Sequence, residues 1–306
     1  MTQTSHPKII LLTGTSSGFG LLTAARLAGG GHRVFATMRD LSKKEALFAE
    51  VRKRGGPPAT GSTDWRAGKV NVLPLDVTDK KSIQSTVDFI AAEVGYLDVL
   101  VNNAGYGIGG FFEDLTEEEI RQQMETNFFG VQNVTRAVIP LMRPRRQGKI
   151  INISSMAGIH ATPALGAYNA SKWALEGFSE SLHYELKLFG IDVLLVEPGT
   201  YPTAIFQDNA RYAQNFSNPQ SPYYAASYFL SKRLKDYVDR CRKDPEAVAL
   251  LVETLIEKKN PPFRNIPDQE GRMLYCLRRI LPFRAYRWMV RKALFDSFER
   301  QASRPS

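Results

Sequence analysis

Six short apolar runs, spaced through the first two hundred residues, constrain this chain more than any other feature. They read KIILLTG (8–14), RVFAT (33–37), VNVLPLDVT (70–78), LDVLVNNAG (97–105), GKIINISS (148–155) and IDVLLVEPG (191–199). A strand exposed on one face alternates apolar and polar residues, whereas a strand covered on both faces is apolar almost throughout. These runs are of the second kind. Between them lie stretches with helical periodicity: Gly20 to Ala28, a Lys/Glu/Ala-rich segment ending near Arg54, residues 81–95, residues 116–143, and a segment ending near Phe189. Thr116 and Glu119 have the spacing of a capping box at the start of the long fourth helix.

Strand and helix thus alternate six times. That order predicts an α/β fold, a Rossmann-type doubly wound parallel sheet with helices on both faces, and a helical C-terminal extension. The 306 residues, 43% of them hydrophobic, suffice for one large domain over 1–306, and no low-complexity block divides them. Residues 55–68 read as a surface loop. Residues 204–240, rich in Phe and Tyr, read as an insertion, and 265–306 as a basic amphipathic extension. The net charge of +9 is largely local: residues 272–292 hold seven basic residues and no acidic one. A nucleic-acid partner is therefore not expected. Cys241 and Cys276 form neither a disulfide framework nor a zinc motif, and no metal is expected. The N-terminal apolar run is too short for a signal-peptide core, and no run is long enough to span a bilayer. The expected location is cytoplasmic.

Ligands of such sheets bind at the carboxyl ends of the strands. After the first strand comes TGTSSGFG, with Gly14, Gly18 and Gly20 spaced G-x-x-x-G-x-G. Such a turn lets backbone approach a pyrophosphate, and the following helix N-terminus favours negative charge. A plain strand-to-helix turn is the other reading. After the second strand Met38 stands where an acid would hold the ribose of NAD, and Arg39 follows. An arginine there accommodates the 2′-phosphate, so NADP(H) is preferred over NAD(H); a solvated surface charge is the alternative. Asp40 is read as the start of the next helix. After the third strand Asp76 either meets an adenine amino group or caps a turn. NNAG (102–105) ends the fourth strand, Ser154 and Ser155 the fifth, and Pro198, Gly199, Thr200 and Thr203 follow the sixth.

Taken together, TGTSSGFG, LDVT, NNAG, METNFFG, the serine of ISS, YNASK and PGTYPT resemble the short-chain dehydrogenase/reductase family, in order and spacing, over residues 8–203. The glycine turn, FATMRD and the long tail look most similar to its 17β-hydroxysteroid and retinol dehydrogenase branch. The resemblance implies that Tyr168 is the catalytic acid/base, Lys172 its partner and a nicotinamide-ribose ligand, Ser155 the substrate-orienting serine, and Asn127 the support of a proton-relay water. Ser154 is one residue out of register. It further implies a cofactor site of Gly14, Ser16, Ser17, Gly18, Phe19, Gly20, Arg39, Asp76, Val77, Asn103, Ala104, Gly105, Tyr168, Lys172, Pro198, Gly199, Thr200 and Thr203. Homodimers or homotetramers through helices 116–143 and 164–189 are common in the family.

Tyr168 and Lys172 lie four apart, on one face of a helix. A free tyrosine has a pKa of about 10, and an ammonium within about 4–6 Å favours the phenolate. Lys172 is therefore expected to lower the pKa of Tyr168. The predicted activity is NADP(H)-dependent interconversion of a secondary, or retinol-like primary, alcohol and its carbonyl on a bulky apolar substrate. Ser155, Tyr168, His160 and Phe206 are the candidate substrate contacts, although a histidine placed like His160 is more often a loop residue without a chemical role. Phe283, Tyr286, Val290, Leu294 and Phe298 fall on one helical side, beside Arg284, Arg287 and Arg291. That helix could lie on an anionic membrane, dock on the substrate loop or meet another subunit. Two other classes compete: a dinucleotide-binding sensor on the same fold, and a membrane-surface adaptor. The filled catalytic positions argue against both.

Overall fold

The computed structural model describes residues 7–55, 70–203 and 210–302, with side chains through residue 295. Most of the loop read at 55–68 lies outside them, as do Phe206 and the side chain of Phe298.

The six apolar runs form strands: β1 (Ile9–Thr13), β2 (Arg33–Met38), β3 (Val70–Pro74), β4 (Val99–Asn102), β6 (Gly148–Ile153) and β7 (Ile191–Val196). All pair in parallel, in the order β3-β2-β1-β4-β6-β7. Successive residues of β1 serve opposite faces, as a period of two requires. Ile10 and Leu12 join one core with α1 (Gly18–Gly29) and α8 (Glu246–Glu257), through Ala24, Leu27, Val248 and Val252. Ile9 and Leu11 join the other with α3 (Lys80–Val94), α5 (Gly130–Met142) and α6 (Gly166–Lys187), through Ile90, Val134, Val138 and Leu182. Both faces are covered, which is why the strands are predominantly apolar. Helix α2 (Lys44–Lys53) follows β2 and contributes Leu47 and Val51 to the first core.

Three features depart from the sequence expectations. A seventh strand, β9 (Arg264–Asn265), pairs with the end of β7 at the sheet edge. Its two polar residues carry no strand pattern, and its place is set by tertiary pairing. A second small sheet joins β5 (Ile108–Gly109) to β8 (Arg211–Tyr212), tying the segment before α7 (Tyr224–Arg240) to the exit of β4.

Next, the predicted helix 116–143 is not uniform. The capping box forms, with Thr116 and Glu119 bonding each other's backbone, and α4 (Glu117–Met124) follows. One π-helical turn, Glu125–Phe129, then intervenes before α5.

Last, the basic extension is two helices, α9 (Gln269–Ile280) and α10 (Phe283–Ala302). The expected apolar side of α10 turns inward from Tyr286 to Leu294, while Phe283 is exposed. Tyr286 is buried, Val290 and Leu294 are half-buried, and they line a cleft of about 550 Å³ with Ala161, Pro163 and Trp173. Among the described residues no helix is long and apolar enough to cross a membrane.

Candidate active site

The exits of β1 and β4 are built as one unit. Buried Thr13 accepts the amides of Asn103 and Ala104 on its hydroxyl, both at 3.0 Å. The Asn103 side chain donates back to the carbonyls of Thr13 and Gly14, at 3.0 and 2.9 Å. Glycine is required at two places. Gly14 has φ +71°, and a Cβ on it would stand 2.7 Å from Ala104 Cα; a Cβ on Gly20 would stand 2.2 Å from the Gly14 carbonyl oxygen. The turn therefore presses on the NNAG loop and leaves α1 to begin directly above the sheet, a geometry suited to a pyrophosphate. Ser16 and Ser17 lead into that helix, with Ser17 in extended backbone. Phe19 meets Tyr201 edge-on at 5.4 Å, and Thr203 is buried 3.8 Å from where a Gly18 side chain would begin. Gly105 abuts the Asn127 carboxamide.

At the end of β2, Met38 is buried and Arg39 is exposed. Asp40 caps the turn beginning the next helical segment by accepting from the Ser42 amide, and that hydroxyl and amide lower its pKa. The positive field of Arg39 reaches Tyr106 just beyond NNAG, where Arg211 lies over the ring at 4.3 Å. Asp76 caps its own turn through the Thr78 amide and hydroxyl, at 2.9 and 2.7 Å. Val77 is buried against Gly130, where a Cβ would come within 2.7 Å of it.

The remaining groups converge at the exits of β6 and β4. Asn127 sits in the π-helical turn, buried, and its carboxamide is satisfied on both sides. It accepts from the Tyr106 amide at 3.1 Å and donates to the Tyr106 carbonyl at 2.8 Å and the Ser171 hydroxyl at 3.1 Å. A π turn widens the helix locally and commonly marks a functional position; here it links NNAG to α6. Ser155 leaves β6 in extended backbone, its hydroxyl accepting the Ala157 amide at 3.1 Å. That hydroxyl also donates to the Pro198 carbonyl at 3.5 Å, and against the burial that raises the pKa of Tyr168 it is the group that lowers it. Tyr168 and Lys172 occupy the first two turns of α6.

The electrostatics correct one expectation. Burial raises the pKa of Tyr168 and the Ser155 hydroxyl opposes this; Lys172 is not among the causes. The Lys172 ammonium donates to the Ile153 carbonyl at 2.8 Å and stands 5.9 Å from the Tyr168 ring centroid. Burial in turn pulls the pKa of Lys172 down to about 8, with Glu176 opposing the fall.

A buried ionic group beside this site was not foreseen. Arg264 of β9 donates from one nitrogen to Glu176 of α6 and to Glu197 at the end of β7, each at 2.5 Å. Glu176 is 5% exposed and Glu197 is fully buried. Ser154, facing away from the candidate site as its register predicts, lies against Glu176. Two signals were available in the sequence: a carboxylate closing the apolar run LLVEPG, and a second one helical turn beyond Lys172.

After β7, Pro198 is buried and the Gly199 amide donates to Asp268 at 3.1 Å, which Lys243 also holds. Thr200 is half-buried there. His160 lies in the loop between Ser155 and Tyr168 with its Nδ1 buried and without a hydrogen-bond partner. Burial, and then Arg278, pull its pKa to about 4, so the imidazole is neutral at physiological pH.

A family model described as short chain dehydrogenase matches residues 8–213. The chain is 42% identical over 259 residues to a 3-ketodihydrosphingosine reductase of Bacteroides thetaiotaomicron, covering 85% of this chain and 87% of that one. It is 36% identical over 266 residues to retinol dehydrogenase 8 of Homo sapiens, covering 84% and 80%. Among solved structures, a short chain dehydrogenase/reductase of Burkholderia phymatum in complex with NAD superimposes with a TM-score of 0.74 at 25% identity, over 89% of this chain and 93% of that one. A metagenomic short-chain oxidoreductase in complex with NADP gives 0.65 at 26% identity, over 86% and 98%. With the parallel sheet, the glycine turn and the Ser155, Tyr168 and Lys172 cluster already in place, these matches identify the chain as an oxidoreductase of the short-chain dehydrogenase/reductase family.

Proposed function

We propose that the protein is an NADP(H)-dependent alcohol dehydrogenase or carbonyl reductase acting on a bulky apolar substrate, with Tyr168 as its acid/base. The observation that carries this reading is the convergence of Ser155, Tyr168 and Lys172 where β6 ends and α6 begins, with the buried Lys172 ammonium 5.9 Å from the Tyr168 ring and the Ser155 hydroxyl opposing the burial-driven rise in the tyrosine pKa. The glycine turn fits a dinucleotide: side chains at Gly14 and Gly20 would collide with the backbone that shapes it. The NAD and NADP complexes of the structural neighbours support a nicotinamide cofactor. Exposed Arg39, following a buried methionine where NAD enzymes place an acid, supports the phosphorylated form.

A nicotinamide bound there would supply or accept the hydride. The chain's own residues do the rest. Ser155 donates a hydrogen bond that fixes the substrate oxygen, and Tyr168 gives that oxygen a proton in reduction and removes it in oxidation. Lys172, held by the Ile153 carbonyl one helical turn beyond Tyr168, would bind the nicotinamide ribose beside the tyrosine. Neutral His160, in the loop between Ser155 and Tyr168, is the further candidate substrate contact. The relatedness to a 3-ketodihydrosphingosine reductase and a retinol dehydrogenase supports a lipophilic substrate. The test follows NADPH and NADH consumption with a panel of steroids, retinoids, 3-oxoacyl compounds and aliphatic ketones. Turnover of a member with NADPH supports the reading. Cofactor binding without turnover of any carbonyl favours the sensor alternative.

Peripheral membrane contact belongs to the same proposal, on a different surface from the expected one. Ile280, Phe283 and Trp288 are 79, 61 and 64% exposed at the α9–α10 corner, with Arg279 and Arg284 exposed alongside. Apolar side chains flanked by cations suit an anionic bilayer. Co-sedimentation with phosphatidylserine vesicles, lost in Ile280→Glu with Phe283→Glu, is the expected result; no sedimentation of the wild type refutes it.

A further inference from the structure

The face of α6 that carries Tyr168 and Lys172 continues, one turn at a time, to Glu176 and Glu180. Glu176 points into the protein. It meets Glu197 from β7 and Arg264 from β9, and a Cβ on Gly158 would stand 2.8 Å from its Cγ. Two buried carboxylates therefore flank one guanidinium, that of Arg264, whose own side chain is 28% exposed. Each keeps one buried oxygen without a hydrogen-bond partner, Oε1 of Glu176 and Oε2 of Glu197. Like charges this close, sharing one cation, do not both ionise at neutral pH. Burial and the Glu176 charge push Glu197 up to about 8, while burial raises Glu176 against the pull of Ser154 and Arg264. The pair therefore shares one proton and carries one negative charge.

Lys172 needs that charge. Its ammonium is buried and has a single described hydrogen bond, to the Ile153 carbonyl. Glu176 is the charge that opposes its desolvation. The groups facing this pair are Tyr168 and Glu180 from α6, Ser154 from the exit of β6, Glu197 from β7 and Arg264 from β9. Glu180 is 51% exposed and only 3.6 Å from Arg264, so water screens it.

We propose that Glu176 is a positioning residue that keeps Lys172 an ammonium, and that Glu197, bridged to it through Arg264, carries the proton that leaves Glu176 ionised. This rests on the reading of Lys172 as the cation that binds the nicotinamide ribose beside Tyr168, so the test measures Lys172 itself rather than turnover alone. The ε-carbons of lysine are labelled with 13C, and the Lys172 resonance is assigned by its loss in Lys172→Met. In the wild type a midpoint of about 8 is expected. In Glu176→Gln the midpoint falls by about one pH unit or more, the effect of removing an adjacent opposite charge. In Glu197→Gln, which keeps the Glu176 carboxylate, it stays or rises. The alkaline limb of the pH–rate profile moves to lower pH in the first variant and not in the second. A merely structural role would not separate the two. An unchanged Lys172 midpoint in Glu176→Gln overturns the proposal, as does an equal fall in Glu197→Gln. If Glu176→Gln does not fold, Glu197→Gln decides alone, and a fall there is fatal to the idea.

Discussion

Replacing Thr13 by valine tests how the cofactor end of the sheet is held together. The two side chains have nearly the same shape, so packing within β1 is unchanged and the hydroxyl alone is lost. That hydroxyl accepts two backbone amides, from Asn103 and Ala104, at a site where Thr13 is 1% exposed. A buried amide left without an acceptor costs about 1–3 kcal/mol, so two of them cost about 2–6 kcal/mol. The lower half of that range is expected, because Asn103 and Ala104 are only half-buried and the Asn103 side-chain bonds to β1 remain. With a urea m-value near 2–3 kcal/mol/M, the unfolding midpoint should fall by about 1 M. Thr13→Ser keeps the acceptor and should recover most of the loss. NADPH affinity should follow the same order, because the NNAG loop is seated against Gly14 by these bonds. A Thr13→Val midpoint within experimental error of the wild type, with unchanged NADPH affinity, would show that the hydroxyl does not hold the loop.

Gly14→Ala combines a left-handed backbone with a Cβ 2.7 Å from Ala104 Cα, so NADPH binding measured by fluorescence titration should be lost while the parallel sheet persists; normal binding would contradict the cradle. Arg39→Asp should move the ratio of kcat/KM values toward NADH, and an unchanged ratio removes the argument for the 2′-phosphate. His160 is held neutral, its pKa falling from 6.5 to about 4 on folding. As pH falls through 6.5 toward 4, the unfolded chain takes up a proton that the folded chain refuses, so this residue makes stability decline over that window. Urea midpoints should fall less steeply between pH 6.5 and 4 in His160→Gln, and an identical slope refutes the assignment.

Much of this architecture is legible in the sequence because its signals are local. Near-continuous apolar runs mark strands covered on both faces, and the alternation of Ile9, Ile10, Leu11 and Leu12 between two cores explains why no polar residue interrupts that stretch of β1. Gly14 and Gly20 are set by contacts a few residues away or one strand over, and so they appear as a motif. The capping box at Thr116 is likewise a property of four consecutive residues. Long-range features left no such trace. Strand β9 is two polar residues whose pairing is decided by β7, and the π turn at Asn127 arises where α4, the NNAG loop and Ser171 meet. The amphipathic pattern of α10 was visible, but periodicity does not say what the apolar side faces; Tyr286 turned to the protein rather than outward. The Tyr168 and Lys172 spacing gave the right helical face and the wrong electrostatics; the Ile153 carbonyl that captures the ammonium belongs to β6, nineteen residues earlier.

The central claim is that Tyr168 moves the proton in a carbonyl-reducing active site. Its most direct test is the rate of NADPH oxidation by Tyr168→Phe, using whichever carbonyl of the panel the wild type reduces fastest, with NADPH affinity measured in parallel. Removing a general acid of this kind should lower turnover by about 10²–10⁴-fold while the dinucleotide still binds. Wild-type turnover in the phenylalanine variant would place the proton donor elsewhere and contradict the account.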